Sequence, residues 1–357
     1  MNSIKKILSM LAADHTVSQK INYLRYLFSK KTETLRYDPV TISVVATGRC
    51  TLSCDMCPTH SNIVPEDYPH RQKNANEMDI AMFKDVIDRF KNALNLNIIG
   101  SGEPLLNKDL FKMIDYAASR RMTVKTFSNG TTIRDNIDKI IGSALSGITI
   151  SINGHTREEF NRMTGMDKKI YDEIYDAAKR LIEERNRKAS PLKVKLSFII
   201  DRYNYGSIPA MIDCFLRLGA DHAFFCNFLP CPYGNLSAEE RVLKNDDRIR
   251  EELNAIFSGY PLSVRKRLTP PTLVDAKMDK NKCGTYFSQV RFDGDGNISS
   301  CSMMLLDMTG HGTYKDRDVW NNAFFRKARR VFLSGDGAYL SDPCKVCPDN
   351  KGVEIIP

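Results

Sequence analysis

An α/β fold, built on a partial (β/α)6 barrel with a small cysteine-rich β-hairpin and helix segment at its end, is what this sequence predicts. Three observations carry that expectation. From about residue 41 to 230, short β-branched runs alternate with amphipathic segments of helical period. The strands number six, too few to close an eight-stranded barrel, so the sheet stays open or partial. Ten cysteines are present, and seven of them fall into two clusters, one early and one late in the chain.

The elements follow in order. Residues 1–40 form a helical lead-in: Ile4, Ile7, Leu8 and Leu11, then Ile21, Leu24, Leu27 and Phe28, recur at helical spacing. This stripe is expected to pack on the main body, with a membrane-surface helix as the alternative. Strands are predicted over 41–45, 96–99, 123–127, 148–152, 194–200 and 223–228, and helices over 82–94, 110–119, 133–141, 171–185 and 208–218. The barrel thus spans 41–230. Residues 231–282 connect, with Pro232, Gly234, a polar helix near 239–257, then Pro261, Pro270 and Pro271. In 283–357 a hairpin signal, Asp293-Gly294-Asp295-Gly296, stands among four cysteines. A segment so short buries little core, and a metal centre is one way to stabilise it.

Composition narrows the class. With 52 Lys+Arg against 43 Asp+Glu the net charge is +9, and 42% of residues are hydrophobic, as in ordinary globular proteins. The basic residues come as scattered pairs, so nucleic acid is not an expected partner; RNA modification rests on the net charge alone. No apolar run reaches membrane-spanning length and no secretory signal opens the chain, which leads to an expectation of a cytoplasmic protein. Clustered thiols in a reducing compartment bind metal or do chemistry more often than they form disulfides.

Cys50, Cys54 and Cys57 make a C-x3-C-x2-C run directly after the first strand. Three thiolates can hold three corners of a cubane cluster, and no fourth cysteine lies nearby, so one metal would stay open to an outside ligand. A zinc knuckle completed by His60 is the structural alternative. The motif and its place in the barrel resemble the radical S-adenosylmethionine (SAM) superfamily. That resemblance implies a 4Fe-4S cluster on these cysteines, SAM on the open iron, and reductive cleavage of SAM to a 5′-deoxyadenosyl radical with electrons from a flavodoxin- or ferredoxin-type donor. Met56 departs from the aromatic residue frequent beside the adenine.

After the second strand, Gly100-Ser101-Gly102-Glu103-Pro104 places glycines and an acceptor where backbone can approach a ligand. It is similar to the family's GGEP-type motif, whose Glu region recognises the SAM amino group. Ser128 and Asn129 after the third strand, and Ser151 and Asn153 after the fourth, stand where the family contacts the ribose and carboxylate; helix N-capping is the alternative for each. Ser197, Arg162 and Arg202 are weaker candidates.

Cys283, Cys301, Cys344 and Cys347 supply four further thiols, and spacing fits zinc and a cubane equally. The order C…DGxG…C, Asp318-Val319-Trp320-Asn321, C-x2-C resembles the SPASM/twitch extension, which implies one auxiliary 4Fe-4S cluster. Cys214 reads as a core residue. Cys226 and Cys231 flank the end of the sixth strand as possible hydrogen-atom donors. The resemblance implies a radical SAM oxidoreductase that abstracts a substrate hydrogen and passes an electron to the auxiliary cluster, with dehydrogenation of a sugar-like small molecule favoured. A peptide maturase, a radical epimerase and a non-enzymatic zinc module are the alternatives.

Overall fold

The computed structural model describes residues 3–63, 76–229, 240–275, 277–278, 282–301, 311–335, 342–345 and 347–355. Two lead-in helices, α1 (Ser3–Ala12) and α2 (Val17–Phe28), precede the barrel. Its units are β1 (Thr41–Val45), α3 (Ile80–Arg89), β2 (Asn95–Ile99), α4 (Leu110–Ser119), β3 (Thr123–Ser128), α5 (Ile137–Gly142), β4 (Gly147–Ser151), α6 (Arg157–Thr164), α7 (Lys168–Arg187), β5 (Lys193–Ile200), α8 (Ile208–Leu218) and β6 (His222–Asn227). There follow α9 (Asp247–Ser258), α10 (Leu262–Arg265), β7 (Leu268–Thr269), β8 (Leu273–Val274), β9 (Gln289–Phe292), β10 (Ile298–Ser299), α11 (Ala323–Ser334), α12 (Asp342–Lys345), α13 (Pro348–Lys351) and β11 (Gly352–Val353).

The main sheet runs β10-β9-β1-β2-β3-β4-β5-β6-β7, parallel throughout except for the β9–β10 hairpin. The six predicted strands stand within a residue of their expected bounds, because alternation marks them so clearly. On one face Ile42, Val44, Leu96, Ile98, Val124, Ile148, Ile150, Val194, Leu196 and Phe198 are buried under the helices. The opposite, concave face carries Ser43, Asn97, Lys125, Thr149, Lys195 and Ser197, matched in register across neighbouring strands. A strand with one greasy and one polar face covers its greasy face with helix.

Helix α6 escaped the sequence reading. Of its eight residues only Phe160 and Met163 are apolar and buried, too few for a visible period. It is held instead by its ends: Thr156 accepts from the Glu159 N–H at 3.2 Å, and Gly165 closes it at φ 71°. The hairpin predicted from Asp293-Gly294-Asp295-Gly296 is present, but β9 also pairs with β1, opposite Thr41–Val44. The barrel sheet therefore continues into the cysteine-rich segment, a pairing between residues about 250 positions apart that no local signal reveals.

The lead-in corrects a further expectation. It docks largely through polar side chains: buried Gln19 donates to the carbonyls of Lys91 (3.2 Å), Ala93 (3.0 Å) and Arg120 (2.9 Å), and Asn22 to those of Asp38 and Asn92, both at 3.1 Å, while Leu24 of the stripe packs with Met10 against Val40 and Leu94. Ile21, Leu27 and Phe28 of the expected packing stripe stay exposed, as do Leu8 and Leu11. Among the described residues no helix is long and apolar enough to cross a membrane.

Arg329 clamps the chain's two ends to the sheet. Fully buried, it donates to the carbonyls of Tyr286 (2.9 Å), Glu33 (3.0 Å) and Trp320 (2.7 Å) and to Asn321 Oδ1 (2.9 Å). Its guanidinium lies 4.3 Å from the centre of the Trp320 ring, and Trp320 Nε1 donates to the Tyr37 carbonyl at 2.9 Å. Arg329→Met strands the buried Tyr286 and Trp320 carbonyls and removes the bonds to Glu33 and Asn321, so urea unfolding should show a loss of about 3 kcal/mol or more. A loss below about 1 kcal/mol would mean the clamp is replaceable by packing alone.

Candidate active site at the strand ends

Three loops meet where β1, β2 and β3 end. The first carries Cys50, Cys54 and Cys57; the second is Gly100–Pro104; the third is Ser128–Gly130. Backbone bonds join the first two: Gly102 N–H to the Thr47 carbonyl at 3.3 Å and Glu103 N–H to the Arg49 carbonyl at 2.7 Å. The approach is so close that a Cβ at Gly102 would lie 1.8 Å from the Arg49 oxygen. Gly102 is thus required for loop to meet loop, a contact the sequence reading assigned to ligand approach.

Glu103 is fully buried, and its carboxylate accepts from Asn129 N–H at 2.6 Å and Leu105 N–H at 3.1 Å. Burial raises its pKa against these bonds. The carboxylate is held by these protein N–H groups, and Glu103 lines the cavity together with Gly100, Ser101 and Gly102. Asn129 continues the chain of contacts: its Nδ2 donates to Thr51 Oγ1 at 3.0 Å and reaches Cys50 Sγ at 3.5 Å. Ser128 turns its hydroxyl to the Gly130 N–H at 3.0 Å. None of Ser128, Asn129, Ser151 and Asn153 caps a helix; α6 is capped by Thr156 and no side chain caps α5. Ser151 lines the cavity with its hydroxyl 3.3 Å from that of Ser197. Asn153 takes a left-handed φ of 50° and buries an Oδ1 without a partner. Arg162 and Arg202 are exposed and lie off the cavity wall.

The three thiols share one electrostatic neighbourhood. Burial, then Cys57 and Cys50, push Cys54 up to about 12, and burial raises Cys50 as well. Cys57 is also buried, but hydrogen bonds from His60 and Thr59 outweigh that and lower it. His60 was the expected fourth ligand of a zinc knuckle. Here its Nε2 lies 2.6 Å from the Gly48 carbonyl, and its Nδ1 2.8 Å from Thr59 Oγ1 and 3.8 Å from Cys57 Sγ. The ring is thus engaged at both nitrogens in bracing the loop. Thr59 went unnoticed in sequence, and His60 entered only as a zinc-ligand alternative, because their roles depend on that fold-back.

Members of the second set lie around one buried side chain. The fields of Cys344, Cys301 and Cys283 all reach buried Tyr286, whose hydroxyl is pushed up first by burial. Cys347 is raised to about 12 by burial and by Asp349, with Cys301 adding to the effect. Asn350, buried and absent from the sequence reading, joins two members: it accepts from the Cys283 N–H at 3.3 Å and donates to the Cys344 carbonyl at 2.9 Å. Among the described residues no three Cys, His, Asp or Glu side chains converge tightly enough for one metal ion.

A cavity of about 640 Å³ opens below the loops, lined by Met56, Cys57, the Gly100–Pro104 turn, Asn129 and Ser151, and across from them by Cys226, Asn227, Gln289 and Arg291. Cys226 faces this space, and burial, then Asp349, raise its thiol to about 11, so it is neutral at physiological pH. Cys231 lies outside the described residues. Cys214 is buried in α8, as expected of a core residue.

Gly102→Ala should destabilise the protein by about 1–3 kcal/mol in denaturant titration, since two backbones must separate. Gly142→Ala, with nothing within 4 Å of the added carbon, is the control and should be neutral or slightly stabilising. Equal behaviour of the two would contradict the loop contact.

Comparison with known proteins bears on this geometry. Residues 44–213 match the family model of the Radical SAM superfamily. A probable GTP 3′,8-cyclase of Saccharolobus islandicus is 22% identical over 272 residues, covering 73% of this chain and 82% of the relative. The mycofactocin maturase MftC of Mycolicibacterium smegmatis is 24% identical over 184 residues, 51% of this chain and 43% of that protein. Streptococcus suis SuiB, in its S-adenosylmethionine-bound crystal structure, superposes with a TM-score of 0.61 at 16% identity, over 87% of this chain and 72% of its own, and so shares the fold.

Proposed function

We propose that this chain, which carries a radical SAM domain over residues 44–213, is a radical SAM oxidoreductase acting on a small molecule, with one auxiliary 4Fe-4S cluster in a SPASM/twitch-type segment at 283–357. The observation that carries it is the knot of three strand-end loops around three thiols of one loop, with His60 committed elsewhere and a cavity directly below. Three thiols on one loop match the three corners that this spacing offers a cubane cluster, and His60, engaged at both ring nitrogens, does not complete a zinc site. Cys50, Cys54 and Cys57 would hold the first cluster, and Cys283, Cys301, Cys344 and Cys347 the second. When bound, cluster and SAM supply one electron and a 5′-deoxyadenosyl radical, the hard step that belongs to the cofactor.

The chain's own residues do the rest. Thr59 and His60 stabilise the Cys57 thiolate, and Asn129 braces Cys50. Gly100, Ser101, Gly102, Asn129 and Ser151 bound the space where SAM would lie, Glu103 and Pro104 hold that turn, and Ser128 and Asn153 shape the next two. The concave face excludes bulk water from a reacting radical. Cys283, Cys301, Cys344 and Cys347 would hold all four corners of the second cluster and leave no position for substrate; such a cluster would supply an electron acceptor or a structural clamp. A cytoplasmic setting and a flavodoxin- or ferredoxin-type donor complete the reading.

A second reading is peptide maturation, favoured by the likeness to MftC, which is named a maturase. Cys226, a neutral thiol facing the cavity, marks a third outcome, epimerisation, betrayed by deuterium uptake from solvent and its loss in Cys226→Ser.

Anaerobically reconstituted protein should hold about eight iron per chain, and Cys54→Ala or Cys344→Ala about four. With dithionite and SAM the wild type and Cys344→Ala should release 5′-deoxyadenosine; Cys54→Ala should release none. Stoichiometric zinc with no iron and no nucleoside would end this reading.

A further inference from the structure

Arg291 is a buried cation inside the cavity with nothing to hold. It stands on β9, keeps 3% of its surface exposed and lines the cavity wall. Its Nε is buried without a hydrogen-bond partner, and among the described residues no carboxylate forms an ion pair with it. The fields of Cys301 and then of Asp293 reach it, but Asp293's oxygens are spent on the N–H groups of Asp295 (3.0 Å) and Asn297 (2.8 Å) and on Asn297 Nδ2 (2.9 Å). Burial lowers the guanidinium to about 10, which leaves it charged at neutral pH. An unpaired buried charge is costly, and a fold that retains one in a cavity wall has an anion for it to meet.

The surroundings point the same way. Register places Arg291 opposite Ser43, Ser43 opposite Asn97, and Asn97 opposite Lys125, one row across four strands. Lys195, opposite Thr149, adds a further cation on the same concave face. Burial and the field of Lys195 lower Lys125, so the two lysines feel one another on this face. No Asp or Glu stands at a concave position of β1–β6 or β9. Ser43 and Asn97 line the cavity beside Arg291 and can donate to the same oxygens.

We infer that Arg291, with Ser43 and Asn97 beside it, is the anion subsite of this cavity, and that the substrate carries a carboxylate or phosphoryl group gripped by its guanidinium fork. This deepens the proposed function, since it rests on the cavity being the substrate's. Arg291 becomes a specificity residue that orients the substrate by its charged end and leaves the neutral end toward Cys57 and the SAM loops.

The test is calorimetric titration of the reconstituted holoprotein with pyrophosphate and, separately, with malonate. One of the two should bind; Arg291→Gln should weaken it by about tenfold or more, and Arg291→Lys should fall between, keeping charge but not the fork. SAM affinity should be the same in all three proteins. Binding of neither anion by the wild type, or equal binding by Arg291→Gln, overturns the subsite. A parallel fall in SAM affinity overturns it too, by making Arg291 the partner of the SAM carboxylate. Should Arg291→Gln not fold, phenylglyoxal labelling of wild-type Arg291, read by peptide mass spectrometry, replaces it: the anion that binds must protect Arg291, and unprotected labelling refutes the site. Release of 5′-deoxyadenosine by the same preparation reports separately on SAM cleavage, so failure of one reading is told from failure of the other.

Discussion

The approach of Gly102 to the Arg49 carbonyl is the constraint on which the site depends. With no side chain between them, the β2 loop lies on the backbone of the cysteine loop. Glu103 is carried with it into the interior, where its carboxylate takes the Asn129 N–H. Asn129 in turn reaches Cys50. Each contact is short-range, and each depends on the one before. A cluster-binding loop rich in small polar residues has little apolar surface of its own, so order comes from neighbouring strand ends.

The strands beneath serve two purposes on two faces. Their outer face is continuous hydrocarbon and joins the helices in one core, with Phe83, Phe198, Phe215 and Phe225 among its largest buried members. Their inner face is polar and cationic, unusual for a surface so enclosed, and it makes the barrel a container. Pairing of β9 with β1 brings both the second cysteine set and Arg291 to that container's edge. Architecture and chemistry meet at that seam.

Much of this was legible in the sequence because its signals are local. Short β-branched runs between helical segments located six strands, Cys50, Cys54 and Cys57 announced themselves by spacing, and Asp293-Gly294-Asp295-Gly296 announced its turn. What escaped depends on direction or distance. Glu103 is a residue type that suits ligand contact, yet only the fold shows its carboxylate holding the Asn129 and Leu105 N–H groups as well. Of the stripe Ile21, Leu24, Leu27 and Phe28 only Leu24 packs on the body, whereas Gln19 and Asn22 add hydrogen bonds that no periodicity encodes. Arg291 had a faint signal, a charge at the same parity as Gln289 in a short strand, but its inward orientation required the β1 pairing. Asn350 had no signal at all, being an ordinary turn residue until Cys283 and Cys344 are brought beside it.

The account's central claim is that the Cys50, Cys54 and Cys57 site leaves one metal position for an outside ligand. Electron paramagnetic resonance of the dithionite-reduced protein tests this most directly, in a variant whose second site has been removed by replacing Cys283, Cys301, Cys344 and Cys347 with alanine. The account predicts a reduced-cluster signal whose g-values shift when SAM is added. A spectrum unchanged by saturating SAM, from a fully iron-loaded site, would contradict it.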